Sequence, residues 1–155
     1  MIFEKGSVAS LSKALILVLC LSLGACSNTV SIRVSNVEKS NLNNRSDDVP
    51  VTFIVYKLKS VERFEEASDR DLITREDGVL GKDKIDSIKL QIAPKNEIVA
   101  IKVKDKDVPY VGILVLFAND TKKITKAWVK TKNASGFWNK KMLKFQITQE
   151  GIRRL

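Results

Sequence analysis

Cys26 is the residue of this chain best placed to do chemistry. It follows Leu23-Gly24-Ala25 directly. That order matches the bacterial lipobox, in which the thiol is diacylated and the chain is cut just before it. Upstream, Lys5 and Lys13 precede an almost unbroken apolar run over 14–23. A basic start, a short apolar core and small residues before a cut describe a secretory signal peptide. A membrane-spanning helix would need about 20 apolar residues, roughly twice this run. Residues 1–25 are therefore expected to be removed, leaving a Cys26 that carries diacylglycerol and acyl chains such as palmitate. Ser27 stands where aspartate would suggest retention in the inner membrane of many Gram-negative bacteria. The expected location is thus the periplasmic face of the outer membrane, where acyl chains at about 0.8 kcal/mol per buried methylene hold a domain stably. The alternative is a soluble secreted protein with an incidental cysteine after its cleavage site.

Other chemistry is restricted by what the chain lacks. It has no histidine, and its second cysteine, Cys20, lies within the leader. That removes Ser-His-Asp and Cys-His catalysis and every histidine-bearing metal site. A carboxylate pair or a Ser-Lys dyad would remain, but no order of residues picks one out. The expectation is no enzyme, no metal, no small-molecule substrate, and no cofactor beyond the covalent lipid on Cys26. The mature fold would hold by packing alone, without a disulfide.

The formal net charge is +9, and Glu4, Lys5 and Lys13 are the only charged residues of the leader. The basicity therefore belongs to the mature domain. Lipid phosphates, acidic polysaccharide or an acidic protein would suit it, as would plain solubility. Nucleic acid is not expected of an exported chain without a recognisable nucleic-acid motif.

These features need a scaffold, and the hydrophobic pattern supplies one. Residues 26–28 form a short tether, and 29–155 form one periplasmic domain. Over 29–35, Val30, Ile32 and Val34 alternate with polar residues, the period of a half-buried strand. Residues 51–58 are apolar on both faces, Val51, Phe53 and Val55 against Ile54, Tyr56 and Leu58, so this strand is expected to be covered on both sides. Ser60 to Ala67 switches to helical spacing, with Ser60 as cap and Val61, Phe64 and Ala67 on one side. It predicts a short helix lying across the end of the sandwich. Residues 68–81 read as irregular, with Asp69 and Asp71 capping a further turn and Gly78 and Gly81 marking bends.

Further strands are predicted around Ile88 to Ile92, Val99 to Val103 and Tyr110 to Phe117, then Ile124 to Lys130 and Leu143 to Thr148, the last closing the domain. In the second of these, Val99, Ile101 and Val103 share one face. Residues 133–139 read as a loop. Seven or so short strands between turn signals indicate an all-β, two-sheet β-sandwich with a helical insertion after its second strand.

Residues 36–49 stand apart as a polar connection of unusual length, with Leu42 as its large apolar residue beyond the first turn. Loops of that length are functional or disordered, and both readings fit.

The segment Pro50-Val51-Thr52-Phe53-Ile54-Val55-Tyr56-Lys57-Leu58-Lys59, followed by a helix with Phe64 and Ala67, resembles the opening of the TssJ (SciN/VasD) lipoproteins of type VI secretion systems. Gly78-Val79-Leu80-Gly81 with Ile88 to Pro94, and Tyr110-Val111-Gly112-Ile113 with Trp128 beyond it, are similar to later motifs of that family in order and spacing. Ser68-Asp69-Arg70-Asp71-Leu72 departs from it, standing where many members have an aromatic pair. The resemblance implies a transthyretin-like sandwich anchored in the outer membrane by acyl chains. It also implies a structural role, holding the periplasmic domain of TssM and through it TssL in the trans-envelope complex. The family's main contact loop joins its first two strands, here 36–49. Within it Glu38, Leu42, Asn43, Asn44, Arg45 and Asp47 are the expected partner-binding residues by character, one apolar anchor among hydrogen-bonding groups and charges.

A different class of function also fits, a lipid-anchored carbohydrate-binding or adhesin-like sandwich. It would use Trp138, expected to be exposed, with the basic face. For Trp128 and Trp138 alike, packing is the plainer reading. Lysines on exposed strands likewise serve simply to prevent edge pairing.

Overall fold

The computed structural model describes residues 28–137 and 140–155. The leader, Cys26 and Trp138 lie outside the described residues. Strand β1 (Thr29–Asn36) opens the fold, and β2 (Val51–Leu58) follows a fourteen-residue loop. Three short helices come next, α1 (Glu62–Glu66), α2 (Asp69–Thr74) and α3 (Glu76–Leu80). The rest is β3 (Lys84–Ile92), β4 (Asn96–Lys104), β5 (Tyr110–Leu116), β6 (Lys126–Lys130), β7 (Ser135–Phe137), β8 (Lys140–Thr148) and β9 (Gly151–Arg154).

The strands form two sheets. Sheet one has the order β4-β1-β8-β7, with β9 continuing along β8 beyond β7. Sheet two has the order β3-β2-β5-β6. Strand β1 runs parallel to β8 and antiparallel to β4, so the first strand lies inside its sheet. At one corner the sheets are stitched together. Ile124 N–H donates to the Glu150 carbonyl and Ile152 N–H donates to the Ile124 carbonyl. Gly151 makes that seam possible: its φ is +124°, and a Cβ there would lie 2.2 Å from the Ile124 oxygen.

The inward faces meet in one apolar core. Val30, Ile32 and Val34 with Leu143, Phe145 and Ile147 pack against Phe53, Val55, Ile113 and Val115. The outer face of sheet two holds a second core, in which Ile54, Tyr56, Leu58 and Leu114 are roofed by Phe64, Leu72 and Leu80. Strand β2 is therefore buried on both faces, as its sequence requires.

The sequence-based details fare unevenly. Helix α1 lies over the outer face of sheet two and not across the end of the sandwich, because Phe64 stacks against Tyr56 at 5.2 Å between ring centroids. Ser60 does not cap it, since the Ser60 hydroxyl goes to the Glu62 carboxylate. The C-terminal carbonyls are met from outside the helix, where Lys126 Nζ donates to Phe64, Glu65 and Ala67 at 3.2, 3.0 and 2.6 Å. Helix α2 is capped by Ser68, whose Oγ accepts from Asp71 N–H at 3.1 Å, and not by Asp69 or Asp71. Gly78 sits inside α3, while Gly81 is a true bend with φ +50°.

In β4 a bulge opposite Ile32 and Arg33 turns Val99 outward to 43% exposure and brings Ile98 against the core. Residues 133–139 are not all loop, since β7 lies among them. Strand β8 does not end the fold, because β9 returns along it.

Candidate functional site

The loop over 37–50 leaves the far end of β1, about 23 Å along the strand from Thr29. A polar loop of this length must satisfy its own backbone groups, and asparagine side chains satisfy them here. Asn36, Ser40 and Asn41 are buried. Asn41 Nδ2 donates to the Pro50 carbonyl at 3.0 Å, and its Oδ1 accepts from Ala118 N–H at 2.7 Å. The Ser40 hydroxyl donates to Asn36 Oδ1. Asn36 Nδ2 in turn reaches the Ile92 carbonyl at 3.4 Å. These contacts pin the base of the loop to both sheets.

A lysine from another connection adds to the base. Lys123 Nζ donates to the Ser40 carbonyl at 2.7 Å and sits 4.4 Å above the centre of the Phe117 ring. Burial holds its pKa below the ordinary lysine value.

Leu42 and Asp48 form an antiparallel bridge that narrows the loop to a tip. Asn43 folds that tip. Its Oδ1 accepts from Arg45 N–H at 2.8 Å and Asp47 N–H at 2.9 Å, and its backbone N–H donates to the Asp47 carbonyl at 3.0 Å. Lys39 and Ser46 hold left-handed φ values of 59° and 64°, unusual without glycine. Asp48 Oδ2 meets Lys39 N–H at 2.7 Å. The loop is thus an ordered element, and the disordered reading is set aside.

The six residues singled out from sequence divide accordingly. Asn44, Arg45 and Asp47 are exposed on the tip, and Leu42 is half-buried beneath them. Glu38 is exposed at the loop's start and pairs with Lys95 at 3.1 Å. Asn43 is spent internally, so it shapes the tip instead of offering hydrogen bonds to a partner. The scaffold of Ser40, Asn41 and Lys123 was not found from sequence. The density of Asn and Ser beside so little glycine was the signal available for the first two.

Of the two tryptophans, Trp128 is half-buried over the second core. It meets Tyr110 edge to face at 5.9 Å, and its Nε1 donates to Glu65. That is packing, not an open binding platform. Among the described residues no cluster of His, Cys, Asp or Glu could hold a metal ion.

The comparisons with known proteins agree with this fold. The profile of a family described as type VI secretion lipoprotein, VasD, EvfM, TssJ, matches residues 28–150. The T6SS lipoprotein TssJ1 from Pseudomonas aeruginosa is similar at a TM-score of 0.71 and 16% identity, covering 83% of this chain and 95% of that one. Serratia marcescens Lip, described as a membrane bound component of the type VI secretion system, is similar at 0.70 and 17%, covering 83% and 96%. A chain in the structure described as the T6SS protein TssM C-terminal domain (869-1107) from EAEC is similar at 0.66 and 15%, covering 83% and 98%. No curated protein sequence matches.

Proposed function

The chain belongs to the type VI secretion lipoprotein family that includes VasD and TssJ, and on that basis we propose that it tethers the secretion system's trans-envelope complex to the outer membrane. Cys26 carries the acyl chains, and the 37–50 loop docks the periplasmic domain of TssM, through which TssL is joined. The observation that carries this reading is the ordered loop at the opposite end of β1 from the tether. A strand held at one end by lipid presents its other end to the periplasm. A tip already fixed by Asn43 and the left-handed Ser46 loses little freedom on binding, which favours affinity. Leu42 supplies the apolar anchor, with Arg45 and Asp47 as its charged rim. A chain of this fold in a structure of the TssM C-terminal domain supports the choice of partner.

The test is co-purification of the full chain with TssM from detergent-solubilised envelopes. Leu42→Asp should reduce recovered TssM at least tenfold, as loss of a central contact does, and Arg45→Glu at the rim should reduce it by a smaller factor. Undiminished recovery by folded variants of both would move the site elsewhere on the domain. If the unaltered chain recovers no TssM, the role itself is wrong.

A further inference from the structure

We propose that the outer face of sheet one, at its tethered end, is a docking surface for anionic phospholipid headgroups. The inference rests on the lipidated Cys26 of the preceding section. The chain from Cys26 to Thr29 spans about 10 Å at most. A lipidated Cys26 therefore holds the start of β1 against the bilayer surface. What lies beside that start is set by the sheet register: Thr29 is opposite Lys104 on β4 and Lys140 on β8, and Ser31 is opposite Lys102. All three lysines are exposed and point away from the core, since Val103 and Leu143 point into it. Nothing covers them among the described residues, in contrast to the outer face of sheet two.

The same edge carries Phe137, paired with Lys140 across β7 and β8 and 84% exposed. No other large apolar residue among those described is as open to solvent. An aromatic ring flanked by lysines, beside an acylated chain end, has the make-up of a bilayer-interface contact, with the ring at headgroup depth and the amines on phosphates. Lys106 and Lys132 are exposed on the neighbouring connections. On sheet one and its connection to β5, the carboxylates at this end are Asp105, already paired with Lys141 at 3.6 Å, and Asp107. On the sheet-two side, Asp83 and Asp86 pair with Arg63 and Lys57. The balance remains positive. Such a contact would fix the domain's tilt on the membrane, which a flexible tether alone does not, and would aim the 37–50 loop away from the bilayer.

The test is lysine footprinting of the full, processed protein on vesicles, using a membrane-impermeant acetylating reagent and mass spectrometry. Equal parts phosphatidylglycerol and phosphatidylcholine are compared with phosphatidylcholine alone. Lys102, Lys104 and Lys140 should react several-fold more slowly on the anionic vesicles, while Lys39, Lys95 and Lys122 at the far end are unchanged. The difference should vanish near 1 M salt, where the screening length falls to about 3 Å. Replacing Lys102, Lys104 and Lys140 with glutamine should speed release of the acylated protein from anionic vesicles by about fivefold per lysine. Phe137→Ser should speed it on both lipids. Acylated, vesicle-bound protein whose lysines react alike on both lipids overturns the headgroup contact alone. A chain without acyl mass that stays in the supernatant overturns the anchor and the inference together.

Discussion

The two sheets share one core but treat their outer faces in opposite ways. On sheet two the outward residues of β2 are Ile54, Tyr56 and Leu58, and the next stretch of chain, α1 to α3, folds back to cover them. On sheet one the outward residues of β1 are Ser31, Arg33 and Ser35, with Lys102 and Lys144 on the strands beside it, and no element lies over them among the described residues. The difference shows that the helical segment is not an ornament on a sandwich. A strand apolar on both faces cannot be left half in water, so the sequence of β2 commits the chain to supply a roof. A strand with a polar outer face leaves its surface open for a partner of another kind.

The contrast breaks most directly at Phe64. Its ring is fully buried between Tyr56 and the backbone of β5. Phe64→Ala should destabilise the domain by about 3–5 kcal/mol, read as a lower midpoint in denaturant unfolding. A loss below about 1 kcal/mol would mean that the roof is dispensable. A smaller effect is expected from Gly112, which lies on β5 directly beneath that ring. A Cβ there would stand 2.9 Å from two ring carbons. Gly112→Ala should cost about 1–3 kcal/mol, because the aromatic ring must shift within a packed cluster. Combining it with Phe64→Leu should recover part of the loss if the clash is the cause, a coupling that a double-mutant cycle measures.

Much of this division was legible in the sequence. The two-faced pattern of 51–58 and the alternation of 29–35 are local signals, and each strand took the environment its pattern predicts. What escaped depends on contacts distant in sequence. The parallel pairing of β1 with β8 joins residues more than a hundred positions apart, and no local period encodes it. Simple alternation puts Val99 on one face with Ile101 and Val103, but it assumes an unbroken ladder, and the bulge opposite Ile32 and Arg33 shifts the phase. Strands β7 and β9 are too short to show a period. For the loop, its position and exposed tip followed from composition and resemblance. Its rigidity did not, since it depends on Asn41 reaching Ala118 and Lys123 reaching Ser40.

The smallest expected effect lies on the other outer face, and it is the sharper half of the comparison. Lys102 and Lys144 are exposed and make no ion pair among the described residues. Changing both to glutamine removes two charges while keeping stems of similar shape on the sheet. Midpoint and slope in denaturant should therefore stay within about 0.5 kcal/mol of the unaltered protein. A clear stabilisation would mean that the lysines repel one another strongly enough to be held there at a cost, which would strengthen the case for an anionic partner. A clear loss would mean that their aliphatic stems shield the sheet beneath. In that event the face is not bare, and the lysines act first as a thin cover of their own, the role that Phe64, Leu72 and Leu80 fill on the opposite side.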